Sequence, residues 1–203
     1  MKIFCIGRNY ADHVKELGNE VPSEPMIFMK PATALVVNNK PFYYPDFSKD
    51  IHYEAEIVLR ISKNGKHIQP EFAHEYYDAV ALGIDFTARD LQQQCKKAGN
   101  PWEIAKAFDN SAPVSEFIPL DEAMSNGSID FHLDINGHTV QRGDTRNLIF
   151  DFDTLICHIS KYFKLQQGDY LFTGTPEGVG PVKIGDVLEA YIGDQKLMQF
   201  EVK

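Results

Sequence analysis

Ile51-His52-Tyr53-Glu54-Ala55-Glu56-Ile57-Val58-Leu59-Arg60-Ile61 alternates with the period of a β-strand, and its reading governs the rest of the chain. In one strand Tyr53, Ala55, Ile57, Leu59 and Ile61 share a face, and His52, Glu54, Glu56, Val58 and Arg60 share the other. Asn64-Gly65 follows with the residues of a tight turn. Working outward, residues 2–6, 79–86, 131–135, 170–173, 187–192 and 196–202 read as further strands, and Asn136-Gly137 as a second tight turn. Helical signals are fewer. They cover residues 11–17, residues 87–98 stopped by Gly99-Asn100-Pro101, and residues 154–163 closed near Gly168. Strands outnumber helices without steady βα alternation, which predicts an α+β domain built on mixed sheets. With no repeat, low-complexity tract or composition break, residues 1–203 are expected to form a single domain.

Of the 203 residues, 43% are hydrophobic and 12% aromatic, a globular composition. The net charge of -9 argues against nucleic acid as the main partner, because phosphate binding needs a basic footprint. No apolar run approaches the roughly 20 residues of a membrane helix. The apolar stretch after Met1 is too short for a signal peptide. Cys5, Cys95 and Cys157 are odd in number and lack C-x-x-C spacing, so neither a disulfide framework nor a zinc knuckle is expected. A reducing cytoplasm is the simplest compartment.

Glu54 and Glu56, two apart on a strand, project from the same face. Side by side in a partly buried site they repel, and a divalent cation removes that cost. Hard oxygen ligands suit Mg²⁺ or Mn²⁺. Taken alone, the pair also fits a solvated sheet face. Asp85 ends the apolar run Ala79-Val80-Ala81-Leu82-Gly83-Ile84, where a carboxylate needs a partner, a metal, or a helix to cap. Three carboxylates from two adjacent strands would form one cation site. His13 and Glu16, three apart on a short helix, have the spacing of a general base and the carboxylate that orients it, or of ordinary surface polarity. Lys106, within Pro101-Trp102-Glu103-Ile104-Ala105-Lys106-Ala107-Phe108, either turns toward an acidic site or reaches solvent. Gly174-Thr175-Pro176-Glu177-Gly178-Val179-Gly180 lacks the ending of a P-loop, yet its N–H groups and the Thr175 hydroxyl could meet a carboxylate.

The order of segments is recognisable: Gly7-Arg8-Asn9-Tyr10-Ala11-Asp12-His13, Phe28-Met29-Lys30-Pro31, Tyr53-Glu54-Ala55-Glu56, Asp85-Phe86-Thr87-Ala88-Arg89-Asp90-Leu91-Gln92, Ala105-Lys106-Ala107-Phe108 and Thr173-Gly174-Thr175-Pro176-Glu177-Gly178-Val179-Gly180. In this order the chain resembles the fumarylacetoacetate hydrolase superfamily over essentially its whole length, and within it the short acylpyruvase and oxaloacetate decarboxylase branch. The resemblance implies a mixed β-sandwich roll with a few short helices, a homodimer, and Mg²⁺ or Mn²⁺ on Glu54, Glu56 and Asp85. It implies that Arg89, Gln92, Lys106 and Thr175 contact a small 2-oxo acid, and that His13 and Glu16 form a catalytic dyad on a lid. The sequence starts at the first strand, without the long N-terminal domain of the founding hydrolase, which weakens the expectation that fumarylacetoacetate itself is the substrate.

The expected chemistry is metal-dependent cleavage of a carbon–carbon bond through a pyruvate enolate, by acylpyruvate hydrolysis, oxaloacetate decarboxylation or both. An isomerase or decarboxylase of longer unsaturated 2-oxo diacids, of the 2-hydroxyhepta-2,4-diene-1,7-dioate isomerase type, would use the same centre. A silent binding module for oxalate-like acids is less consistent with an intact His13 and Glu16. A non-haem iron oxygenase using His52 is a third alternative, though such sites want two histidines and one carboxylate.

Overall fold

Residues 51–53 and 55–61 are strand, but the ladder breaks at Glu54, so the single strand read from the alternation is two strands in two sheets. The computed structural model describes every residue except Leu17 and Asn19. In chain order the elements are β1 (Ile3–Gly7), α1 (Ala11–Glu16), β2 (Met26–Lys30), β3 (Leu35–Val36), β4 (Ile51–Tyr53), β5 (Ala55–Ile61), β6 (Tyr77–Ile84), β7 (Thr87–Ala88), α2 (Arg89–Ala98), α3 (Glu103–Lys106), β8 (Ala112–Pro113), β9 (Ile118–Pro119), α4 (Leu120–Ala123), β10 (Asp130–Ile135), β11 (His138–Asp144), α5 (Phe152–Tyr162), β12 (Tyr170–Phe172), β13 (Gly180–Pro181), β14 (Val187–Ile192) and β15 (Gln195–Glu201). The last residue read into the first helix, Leu17, lies outside the described residues.

A six-stranded sheet in the order β2-β1-β12-β5-β6-β9 forms the centre. Its β1–β12 pair is parallel and the rest antiparallel. A four-stranded sheet, β11-β10-β14-β15, and two small ones, β13-β4-β7 and β3-β8, complete the mixed α+β roll. Ile57, Leu59, Val80 and Leu82 join Phe131, Leu133, Leu188 and Leu155 in the main core. The opposite face of the central sheet carries Ile3, Cys5, Val58, Ala81 and Phe172, which pack with Ala34, Ala112 and Val114. Each fully buried aliphatic side chain stabilises by ~1.5–3 kcal/mol, so a sheet buried on both faces can carry a polar cluster at its end.

Register places that cluster. Glu56 lies opposite Gly83 and Val58 opposite Ala81, so Glu56 and Asp85 continue the Val58 face of β5 and β6. The Asp85 N–H donates to the Glu54 carbonyl at 2.8 Å, carrying the alignment one step past the ladder.

Three local readings are corrected. Asn64-Gly65 is not a two-residue hairpin: Gly65 exchanges backbone hydrogen bonds with Leu165, and a 3-10 turn over Pro70–Tyr76 precedes β6. Thr87 and Ala88 are strand rather than helix, because they pair with His52 and Ile51 before α2 begins at Arg89. The last helix starts at Phe152, where the Asp151 carboxylate accepts the Thr154 N–H at 2.9 Å as an N-cap. Asn136-Gly137 does form the β10–β11 turn, both residues being left-handed at φ 53° and 78°.

Candidate active site

Glu54 occupies the break between β4 and β5, Glu56 lies on β5, and Asp85 follows β6. One carboxylate oxygen from each lies within 4.8 Å of the others. They are 6%, 2% and 1% exposed, so their mutual repulsion is not relieved by water. Asp85 does not cap α2, whose N-terminus has no side-chain cap.

Buried cations answer the charge. Lys106 Nζ donates to Glu54 Oε2 at 2.8 Å and to Asp85 Oδ2 at 2.6 Å. Arg89 Nη2 donates to Glu54 Oε1 at 2.6 Å, and Arg89 Nη1 to Gln92 Oε1 at 2.7 Å. Lys30, at the end of β2, lies 2.8 Å from Asp85 Oδ1, bonds Ser111 Oγ at 2.9 Å, and also meets the Lys106 carbonyl. Burial alone would raise Glu54, but Lys106 and Arg89 hold it far below the usual carboxylate range. Burial, Asp85 and Glu54 push Glu56 well up, against an opposing Gly174 N–H at 2.7 Å. Burial would lower Lys106, yet Asp85 and Glu54 keep it above the ordinary lysine value. All-oxygen donors with one carboxylate held up for want of positive charge fit a hard divalent cation.

A pH-dependent stability follows from Glu56. Its pKa is higher folded than unfolded, so the metal-free protein gains stability as pH falls and loses it as pH rises above the ordinary carboxylate value. A bound cation requires the ionised form and reverses that slope. Added Mg²⁺ at about 100 times its Kd should raise the melting temperature by roughly 5–10 °C at pH 8. The gain should be clearly smaller at pH 5, as thermal melts in chelator and in Mg²⁺ would show.

His13 is buried on α1, with Nδ1 3.2 Å from Glu16 Oε2. Glu16 Oε1 accepts the Gly178 N–H at 3.0 Å, tying α1 to the β12–β13 loop. Thr175 Oγ1 donates to the Ala55 carbonyl at 2.9 Å. His13, Glu54, Glu56, Asp85, Arg89, Gln92, Lys106 and Thr175 line one cavity of about 30 Å³, and Glu16 stands behind His13. A separate groove of about 740 Å³ shares Met26, Phe28, Trp102 and Lys106 with that cavity, but none of the three carboxylates reaches it. His52 is apart from the cluster, its Nε2 paired with Asp50 at 2.9 Å, so the iron-site alternative loses its histidine.

Three positions carry structural weight that the sequence did not reveal. Lys30 ends the apolar strand β2, and nothing local marks it as a buried counter-charge. Gln141 on β11 accepts the Ala55 N–H at 2.9 Å and donates to Thr175 Oγ1 at 2.9 Å and the Pro176 carbonyl at 3.0 Å, fastening the second sheet to the strand break. Asn9 is fully buried and donates to the Thr173 carbonyl at 2.8 Å. Gly174 sits against it at φ 109°, where an added Cβ would come 2.7 Å from the Asn9 Cβ. Gly174→Ala should therefore cost about 2–4 kcal/mol from strain and overpacking, and loosen the N–H held on Glu56. Urea unfolding checks it.

Fold and site together define a mixed β roll with a buried three-carboxylate centre beneath a short helix bearing a histidine. The chain belongs to the fumarylacetoacetate hydrolase C-terminal family, whose model matches residues 2–203. It is 42% identical over 201 residues to the mitochondrial oxaloacetate tautomerase FAHD1 of Mus musculus, covering 99% of this chain and 91% of that protein. It is 41% identical over 203 residues to the mitochondrial oxaloacetate decarboxylase of Dictyostelium discoideum, covering 99% and 93%. Among solved structures, fumarylpyruvate hydrolase from Pseudomonas aeruginosa, in complex with Mn²⁺ and pyruvate, superposes with a TM-score of 0.93 at 38% identity, covering 100% of this chain and 89% of that one.

Proposed function

We propose that this protein is an enzyme that cleaves a carbon–carbon bond of small 2-oxo acids through a pyruvate enolate, with Mg²⁺ or Mn²⁺ held by Glu54, Glu56 and Asp85. The observation that carries the reading is the buried cluster of these carboxylates with Lys106 between Glu54 and Asp85, facing His13. Lys30, Lys106 and Arg89 equal the three carboxylates in number, yet they pair only with Glu54 and Asp85 and leave Glu56 without a counter-ion among the described residues. A divalent cation then brings two further positive charges, which a carboxylate and an enolate oxygen would balance. The Mn²⁺ and pyruvate of the Pseudomonas structure and the oxo-acid names of the curated relatives support the same reading.

The cation supplies electrophilic polarisation of the 2-oxo group when bound. Arg89, Gln92 and Thr175 orient the substrate carboxylate, and the Lys106 ammonium stabilises the enolate oxygen as charge develops. His13, oriented by Glu16, takes a proton from the water that attacks the distal carbonyl of an acylpyruvate. Oxaloacetate reaches the same enolate by losing CO₂ without that water. Tautomerisation of oxaloacetate, the activity in the name of the Mus musculus relative, needs only proton transfer at His13. Because the cavity holds little more than one water, α1 acts as a lid that lifts for substrate. Pyruvate release from acylpyruvates, oxaloacetate and unsaturated 2-oxo diacids, read beside the loss of enol absorbance, tests the assignment. Release from acylpyruvates or oxaloacetate supports cleavage; enol loss without pyruvate would replace cleavage by tautomerisation.

The proposal includes a homodimer. Phe47 and Ile104, 53% and 62% exposed, flank an apolar groove with Leu91 and Phe108 that suits burial between two copies. Sedimentation at micromolar concentration should give a dimer mass. A cytoplasmic location is part of it too: Cys5, Cys95 and Cys157 are free thiols, as a reducing compartment would keep them, although the two curated relatives are named as mitochondrial. No described helix is long and apolar enough to cross a membrane.

A further inference from the structure

Two buried polar atoms near the carboxylate cluster have no hydrogen-bond partner among the described residues: His52 Nδ1 and Arg89 Nε. A buried donor or acceptor left unpaired costs free energy, and each such atom calls for a physical reason. Arg89 lines the cavity of the three carboxylates, whereas His52 lies just outside it.

Register makes the two side chains neighbours. In the β4–β7 pair His52 lies opposite Thr87 and Ile51 opposite Ala88, and the Arg89 N–H, donating to the Asp50 carbonyl at 2.8 Å, continues the alignment one step. His52 and Arg89 are therefore diagonal neighbours on one sheet face, roughly 7–8 Å apart and within reach of a long side chain. Burial, and next the charge of Arg89, hold the His52 pKa below the ordinary histidine value. The two orphaned atoms are also complementary. His52 Nε2 donates to Asp50 Oδ1 at 2.9 Å, which leaves a lone pair on Nδ1 of the neutral ring, while Arg89 Nε carries a proton. The terminal nitrogens of Arg89 are engaged elsewhere, Nη2 with Glu54 at 2.6 Å and Nη1 with Gln92 at 2.7 Å.

We infer that His52 is a positioning residue for Arg89: in the loaded site its Nδ1 accepts the Arg89 Nε–H and fixes the guanidinium plane, so that the terminal nitrogens face the substrate carboxylate. This rests on the reading of the inner site as one for 2-oxo acids. A cation on Glu54 competes with Arg89 for that carboxylate, and a bound substrate carboxylate claims Nη1 and Nη2, so Nε is the donor that neither takes. Asp50 acts one step further back, holding the tautomer and orientation of the ring. No bond is made or broken at His52.

The test is calorimetric titration of pyruvate into the full chain in excess Mn²⁺, with the Mn²⁺ affinity measured separately. Asparagine places a carbonyl oxygen where His52 has Nδ1, and glutamine places its amide where His52 has Nε2. His52→Leu and His52→Gln should bind pyruvate roughly tenfold more weakly than wild type, the effect of one hydrogen bond to a charged group, with Mn²⁺ affinity nearly unchanged. His52→Asn should recover most of the loss. In turnover of an acylpyruvate the same factor should appear in KM and leave kcat nearly unchanged, because Arg89 holds the carboxylate in ground and transition state alike. In Arg89→Lys, which has no Nε, His52→Leu should weaken pyruvate binding little further. The contrast of His52→Asn with His52→Gln keeps the test open if His52→Leu disturbs folding. Wild-type pyruvate affinity in His52→Leu, no recovery in His52→Asn, recovery in His52→Gln, a full further loss in Arg89→Lys, or an equal fall in Mn²⁺ affinity overturns the positioning role and leaves the inner site standing. Failure of the wild type to bind pyruvate with Mn²⁺ present overturns the inner site and this role with it.

Discussion

Glu56→Ala is expected to abolish tight Mg²⁺ binding and to lower pyruvate release by at least about 10²–10³-fold. A loss of that order follows removal of a single oxyanion-stabilising group, and a ligand that positions the electrophile should matter at least as much. Among the described residues Glu56 accepts only the Gly174 N–H, whereas Glu54 and Asp85 are each tied to Lys106. Its removal therefore subtracts cation affinity with little damage to the ion pairs. Relief of the acidic crowding around Glu56 opposes the loss of the Gly174 hydrogen bond, so the metal-free variant should differ from the wild type by no more than about 1–3 kcal/mol. Titration calorimetry with Mn²⁺ and a melt in chelator measure both halves. Wild-type affinity in the variant would contradict the ligand assignment.

His13→Ala should separate the two cleavage reactions, and Lys106→Ala should lower both. Hydrolysis needs an activated water, and general-base help is typically worth about 10²–10⁴ in rate. Decarboxylation needs only a sink for electrons. His13→Ala should cripple acylpyruvate cleavage and leave oxaloacetate decarboxylation within about tenfold of wild type, with the general-base contribution absent from the second reaction. Lys106→Ala should lower both by about 10²–10³, since both pass through one enolate. It should also destabilise the fold by about 3–5 kcal/mol, because it leaves Glu54 and Asp85 buried with less counter-charge. Equal losses on the two substrates in His13→Ala would show that His13 acts mainly by closing the site. Parallel assays on both substrates decide it.

The parts of the site legible in the sequence are those with a local cause. Glu54 and Glu56 could be placed on one face because a strand has period two, and Asp85 stood out because an apolar run ended on a charge. His13 and Glu16 follow from helical spacing. The break at Glu54 was hidden because the alternation runs straight through it. Only the pairing of β4 with β7 and β13, and of β5 with β6 and β12, splits the segment between two sheets. Thr87 and Ala88 were drawn into strand by the same distant partner. Lys30 is the one polar residue of β2 and Gln141 one of several in β11, and their burial against Asp85 and Ala55 arises from contacts 55 and 86 positions away in the chain. The joint order of the motifs, more than any one of them, pointed to the fold and the family.

The central claim is that a divalent cation on Glu54, Glu56 and Asp85 is required to cleave the 2-oxo acid. Its most direct test is pyruvate release from an acylpyruvate by protein stripped of metal with chelator, before and after adding Mg²⁺ or Mn²⁺. Release should be lost on stripping and restored by either cation in wild type, and not restored in Glu56→Ala. Undiminished release in excess chelator would contradict the account.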